Sequence, residues 1–392
     1  MTARASGAAD AATALARDAV RGLALYAGAD TPCAVDVSDN TNLWGTPPAA
    51  LQVIRAAAGA GAFDVARYPH AYTAELSSRL VSYLGFRTTS ELGVVTGCGS
   101  DDVLDAAMRA FSVNGARIAY SVPTFSMIST FARLNGLETV EISLADDFDL
   151  DVDRLIEARA HITYICAPNN PTGTAVRRDA VEKVLAGTAG IVIVDEAYGE
   201  FASGTLIDLV ASCPRLFVTR TFSKAFGLAG VRLGYGVGSE TLVGLVARAR
   251  GPYKVNTLAE RAGLAALGDG PDAVGWVNGR VQEALVMRER LHDGLSALGL
   301  EPLRSDANFI FVPLREAATV ASHMMSAGVR VRAMSGLAGP HALRSEDGAG
   351  LRIGVGPAHV MDAVLGALRT ALASVAPHRM SGLTTPEGAN PS

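Results

Sequence analysis

The chain has 392 residues, 49% hydrophobic and 19% charged, with a formal net charge of -5. That is apolar material for a large core in two or three lobes. The acidic balance argues against nucleic acid as a partner, because such binders carry a basic stripe. No run of 18 uncharged apolar residues carries the flanks of a membrane span, so no membrane contact is expected. Cys33, Cys98, Cys166 and Cys213 form no CxxC pair and no metal-ligand spacing. With no secretory apolar region at the N-terminus, free thiols, no metal and a cytoplasmic location are expected.

In chain order, the alanine-rich residues 1–24, with Arg4, Arg17 and Arg21, read as an amphipathic helix, with a transit peptide as the alternative. Residues 1–64 are expected to join a smaller lobe or a partner subunit. A large domain follows over 65–275. There ELGVVTG (91–97) leads into a helix, SDDVLDAAMRAF (100–111). ARIAYSVP (116–123), ITYICAP (162–168), GIVIVDEAY (190–198), RLFVTRT (215–221) and VRLGYGVG (231–238) read as buried strands. Apolar strands separated by helix-length segments predict an α/β fold with a mostly parallel sheet. A long helix is predicted over 272–298. The smaller α+β domain, 276–385, contains the strand ANFIFVPL (307–314), a helix at 317–328, and the strands VRVRAM and GLRIGVG. The tail 386–392 reads as disordered.

Polar residues gather where the strands end, the edge of an open α/β sheet at which ligands bind. In VTGCGSDD (95–102), Gly97 and Gly99 follow a strand, and Ser100 and Asp101 open a helix. Free N–H groups and glycine backbone suit an anion there, although a capped turn reads the same way. APNNPTG (167–173) presents Asn170 on a stiff turn. Asp195 ends a branched apolar strand, and an acid inside a dry pocket calls for a cationic partner. Tyr198 follows three residues later. Thr221, Ser223 and Lys224 leave one strand together, with Arg232 eight residues beyond Lys224. Two hydroxyls and an arginine beside one lysine suit a phosphate monoester held next to a reactive amine. Phe125 is placed to cover a flat ring, or to pack in the core. A reactive lysine, a phosphate nest, an acid for a pyridine nitrogen and donors for a phenolate oxygen together describe pyridoxal 5'-phosphate (PLP).

These stretches, with ARYPHAYTAELSSRLVSYLGF (66–86), PYKVN (252–256) and SDANFIF (305–311), run in family order over roughly residues 35 to 375. The chain resembles the fold-type I PLP-dependent aminotransferases of class I/II, and most of all the histidinol-phosphate aminotransferase branch. The resemblance implies a seven-stranded sheet and a homodimer with shared active sites. It implies that Lys224 links to the cofactor's aldehyde and acts as the catalytic base. Asp195 would pair with the ring nitrogen, Asn170 and Tyr198 would contact the phenolate oxygen, and Phe125 would stack on the ring. Gly99, Ser100, Asp101, Thr221, Ser223 and Arg232 would hold the phosphate, and Tyr68 would reach the neighbouring subunit's cofactor. Asn308, Arg332 and Arg352 would line the substrate side. The implied reaction moves an amino group from histidinol phosphate to 2-oxoglutarate. The entrance DNTNLWGTPP (39–48) carries Thr41 where the family has glutamate and Leu43 where it has proline, and it adds Trp44. An aromatic or specialised amino donor, a decarboxylation or an elimination therefore stays open. A ligand-sensing regulator would need a DNA-binding domain, for which the 64 residues before the core leave no room.

Overall fold

A computed structural model describes residues 12–25, 31–57, 59, 66–87, 92–344 and 346–380. The N-terminal eleven residues, the expected boundary at 64/65 and the tail 386–392 lie outside the described residues. The strands are β1 (Val35–Asp36), β2 (Gly93–Gly97), β3 (Arg117–Val122), β4 (Glu138–Ser143), β5 (Ile162–Cys166) and β6 (Ile191–Asp195). They continue as β7 (Leu216–Thr221), β8 (Gly234–Gly238), β9 (Phe309–Pro313), β10 (Val329–Arg330), β11 (Arg332–Met334) and β12 (Gly350–Gly354).

Seven strands form one sheet in the order β2-β8-β7-β6-β5-β3-β4. Strands β3 to β7 pair in parallel, and β8 runs antiparallel to both β7 and β2. Every residue of β5 and β7 is buried, which fits central strands covered by helices on both faces. β4 was not among the strands read from the sequence. It is an edge strand, ETVEIS, in which only Ile142 is buried. Its polar residues satisfy solvent and leave no apolar run to see. The register aligns Cys166 with Asp195 and Asp195 with Thr219, so the ends of β5, β6 and β7 stand side by side.

The smaller lobe holds the antiparallel sheet β11-β12-β9 and the parallel pair β1-β10. VRVRAM divides at Val331: Val329 and Arg330 pair with β1, while Arg332 to Met334 pair with β12. A strand from the N-terminal part of the chain therefore pairs with one from the C-terminal part in this lobe. The helix Val274–Ala297 leads to it, burying Val277, Val281, Ala284, Leu291 and Leu295 along one stripe. One apolar cluster continues from Val218 in the large sheet and Phe222 just beyond β7 to Ile310 and Leu351 in the small sheet. The helix Ala358–Met380 contains an 18-residue stretch, Ala358–Val375, long and apolar enough to cross a membrane by length and composition. Its Met361, Val364, Leu368 and Ala371 are buried in the same cluster while residues between them are exposed, the pattern of an amphipathic helix packed by one face on the core.

Candidate active site

The residues expected to nest a phosphate are placed by backbone first. β2 runs out through Gly99, with φ 82° and ψ 167°, into the helix Ser100–Phe111. That conformation belongs to glycine. A side-chain carbon at 99 would stand 2.5 Å from Nη2 of Arg232, so the bare turn lets the guanidinium lie against it. Across the turn, a side-chain carbon on Gly234 would run into the backbone of Gly99 and Ser100. The helix N-terminus thus faces a tight basic hollow. Arg232, itself left-handed at φ 57°, anchors through Nη1 to the Ala229 carbonyl at 3.2 Å and lies 3.7 Å from Asp101. Burial raises the Asp101 carboxyl, and Arg232 opposes this. Asp102 faces away, accepting from Cys98 N and from Lys254 Nζ at 3.1 and 2.8 Å. The Thr221 hydroxyl donates to Ser223 Oγ at 2.9 Å and accepts from Ser223 N at 3.1 Å, placing both hydroxyls at the end of β7.

Lys224 follows at once. Its side chain is half-buried, and Nζ donates to the carbonyl of Asp39 at 2.9 Å. Desolvation, then the nearby Arg352 charge, push its amine down to about 8. A neutral amine is the nucleophilic form. Asp195 lies fully buried at the end of β6. Its carboxylate accepts from Tyr164 at 3.0 Å, from Ala197 N at 3.1 Å and from Thr219 Oγ1 at 3.2 Å. Burial pushes it up to about 6, with the Tyr164 bond opposing. Among the described residues no cation pairs with it. A carboxylate fixed by three donors at the mouth of a strand is complementary to a cation from outside the chain.

Tyr198 is buried, with its ring edge-on to Phe309 at 5.1 Å and the Lys224 amine 5.8 Å from its centroid. Its hydroxyl is pushed up to about 12 by burial. Asn170 Oδ1 accepts from Arg352 at 2.8 Å, and Arg352 also donates to the Ser38 carbonyl at 2.7 Å. The residues expected on the cofactor side and on the substrate side are therefore in direct contact. Asn169 is structural, donating to Pro123 O and to Thr172 Oγ1 while Thr124 donates to its Oδ1. That network sets the loop carrying Phe125, which packs half-buried on the apolar cluster above β3. Asn308 donates to the Asn40 carbonyl at 3.1 Å. Arg332 stands directly opposite Arg352 across the β11–β12 pair. Tyr68 is not brought to this cleft: it is 84% exposed and stacks at 5.0 Å on Tyr253 beside an open cavity of about 640 Å³.

The sequence did not reveal how far residues 38–46 reach into the site. Besides the bonds from Arg352 and Lys224, the Asn42 amide donates to Ala225 O and the Thr46 hydroxyl to Gly227 O, each at 2.8 Å. The clustering of Asp and Asn in DNTN was the available signal, since such residues bond backbone groups near turns. Tyr164 was also missed, because a tyrosine inside an apolar strand carries no mark of what its hydroxyl meets.

The donor set fits PLP: a basic hollow at a helix N-terminus, a desolvated lysine, a buried unpaired acid and a tyrosine hydroxyl converge on one edge of the sheet. Fold and site together define the fold-type I class of PLP-dependent proteins. The family described as Aminotransferase class I and II matches residues 34–368. A histidinol-phosphate aminotransferase of Desulfitobacterium hafniense is 34% identical over 331 residues, covering 82% of this chain and 89% of that protein. Another from Paenarthrobacter aurescens is 34% identical over 376 residues, covering 93% and 96%. The crystal structure of histidinol-phosphate aminotransferase from Sinorhizobium meliloti, in complex with pyridoxal-5'-phosphate, superposes with a TM-score of 0.79 at 24% identity, covering 92% and 98%. The chain belongs to the class I and II aminotransferase family, and within it is similar to the histidinol-phosphate branch.

Proposed function

We propose that the protein transfers an amino group from histidinol phosphate to 2-oxoglutarate, using PLP bound in this cleft. The observation that carries the donor assignment is the Arg332–Arg352 pair. Like charges directly opposite on paired strands repel. Among the described residues the Arg332 side chain has no hydrogen bond or ion pair. A phosphate dianion would satisfy both guanidinium groups, whereas a carboxylate needs only one. The names carried by the similar proteins support the same reading.

In this reading Gly99 to Asp101, Thr221, Ser223 and Arg232 would bind the cofactor's phosphate through N–H, hydroxyl and guanidinium donors. Asp195 would hold the ring nitrogen protonated, and Phe125 would cover one ring face. Asn170 and Tyr198 would donate toward the phenolate oxygen. When bound, PLP supplies the electron sink that makes the donor's Cα proton removable. Lys224 would take that proton on Nζ and return it to the cofactor's former aldehyde carbon, on the other side of the amino nitrogen, a role its lowered basicity suits. Asn308 and Arg352 orient the donor. Tyr68 completes the site of a second copy, making the active species a homodimer. Its exposure, beside the exposed Tyr72 and Tyr253, supports an aromatic contact surface there. The protein works in the cytoplasm in this reading.

The test is a half-reaction screen. PLP-loaded protein is mixed separately with histidinol phosphate, Phe, Tyr, Trp, His, Arg, Glu and Ala, and conversion to the pyridoxamine absorbance is followed. Fast conversion with histidinol phosphate supports the reading. Conversion only with an aromatic or other amino acid overturns the donor and makes Arg352 a carboxylate clamp. A monomeric mass for fully active protein overturns the shared site.

A further inference from the structure

We propose that Asn40 is a positioning residue that fixes the direction of the Tyr198 hydroxyl by donating to its oxygen. The inference rests on the cofactor reading above, because Tyr198 matters there as a donor to the cofactor.

Asn40 is 2% exposed and left-handed, with φ 59°, a conformation asparagine tolerates better than other side chains. Its Nδ2 donates to Tyr198 Oη at 3.0 Å, and its own carbonyl accepts from Asn308. The side-chain Oδ1 of Asn40 has no partner. The flanking backbone is stiffened by short side-chain turns. Asp36 Oδ1 accepts from Ser38 N at 3.0 Å, Asp39 Oδ1 from Thr41 N at 3.1 Å, and Asn42 Oδ1 from Trp44 N at 2.9 Å. Ser38 is held by Arg352, and the Asn42 amide by the Ala225 carbonyl at 2.8 Å. Asn40 is thus delivered to Tyr198 on a rigid segment.

A phenol has one proton to donate. With an acceptor position of its oxygen filled by an N–H group, that proton is directed away from Asn40. An amide that only donates here keeps the Tyr198 proton available to the phenolate oxygen of bound cofactor. Aspartate at 40 keeps the size and tolerates the left-handed backbone, but it can only accept, so it would draw the Tyr198 proton back toward itself. The other groups facing Tyr198 are Arg352, Cys166 and Asp195, with Lys224 over its ring. None of them changes in this substitution.

The test is a spectroscopic titration of holoenzyme for wild type, Asn40→Asp, Asn40→Gly, Tyr198→Phe and the Asn40→Asp/Tyr198→Phe double variant. The visible band of lysine-bound PLP is followed against pH. Loss of donation to the phenolate oxygen makes the imine nitrogen more basic, so the band's midpoint rises. Asn40→Asp is expected to raise it by about one pH unit, the scale of one charge-assisted hydrogen bond. Asn40→Gly, which keeps the backbone and removes the amide, is expected to shift it less, in the same direction. In the Tyr198→Phe background the Asn40→Asp shift should vanish. An Asn40→Asp midpoint equal to wild type, alongside a shifted Tyr198→Phe, overturns the proposal. So does an undiminished shift in the double variant, which would mean that Asn40 acts without Tyr198. A wild type that takes up no PLP at all overturns the cofactor reading first, and this proposal with it.

Discussion

Gly99→Ala probes the phosphate hollow more directly than any charge removal. At φ 82° and ψ 167°, an L side chain costs about 1–3 kcal/mol of backbone strain. The new carbon would also lie 2.5 Å from Arg232 Nη2, against 3.4 Å for ordinary contact, so the guanidinium must move by 3.4 − 2.5 = 0.9 Å. Losing one charge-assisted bond to an anion costs about 1.5–3 kcal/mol, roughly ten- to a hundredfold in affinity. The assay is equilibrium binding of PLP and, separately, of pyridoxal, which lacks the phosphate. PLP affinity should fall by at least about tenfold while pyridoxal affinity stays near wild type. Gly244→Ala, where nothing lies within 4 Å of the added carbon, is the control and should bind both normally. Equal weakening for both ligands, or unchanged PLP affinity with a normally folded protein, would refute the assignment of this hollow to the phosphate.

Lys224→Ala should abolish the visible absorbance of PLP-loaded protein and nearly all turnover; retention of full activity would remove the lysine from the mechanism. The pH dependences of capture and binding differ. Capture of PLP by Lys224 needs the neutral amine, so its rate should rise about tenfold per pH unit below 8 and level off above it. Asp195 must be a carboxylate to hold a cationic ring nitrogen, so PLP affinity should weaken as pH falls through about 6, measured by the apparent dissociation constant at pH 5 and 7. The lowered lysine also gives the cofactor-free protein a signature. Between pH 8 and 10.5 the unfolded chain holds a proton that the folded chain has lost, so stability from this group rises with pH across that window, visible in denaturant melts against Lys224→Met. Arg332→Ala should raise KM for histidinol phosphate by about ten- to a hundredfold with little change in kcat, while relief of repulsion with Arg352 leaves the melting temperature unchanged or higher.

The large sheet was legible because its central strands are unbroken apolar runs ending in polar residues. ITYIC, IVIVD and LFVTRT read as buried strands from their apolar runs alone, and the structure puts them in the middle of the sheet. β4 was invisible for the opposite reason, since an edge strand needs no apolar run. VRVRAM read as one strand because alternation does not reveal that Val331 hands the chain from one sheet to another. Within the site, Asp195, Thr221, Ser223 and Lys224 fall at strand ends, where local pattern is enough. The contacts Arg352–Asn170 and Asn40–Tyr198 join residues 182 and 158 positions apart, and no local pattern carries such pairs. Phe125 was open between ring cover and core packing, and the structure shows it half-buried against apolar neighbours. Tyr68, expected to reach a neighbouring subunit, is exposed in the single chain, away from the cleft.

The bond from Arg352 to Ser38 spans 314 positions of sequence. During synthesis the segment 38–46 leaves the ribosome well before the arginine that fastens it, and before the β10 strand beside it. The cleft therefore cannot close progressively as the chain lengthens. Its earlier-made wall waits, undocked, for a later-made partner, and a loop of that length adds its closure entropy late in folding. A cofactor able to bind only the closed cleft would act as a check on completed synthesis: chains cut short of β12 would fold much of their large sheet and still fail to retain it.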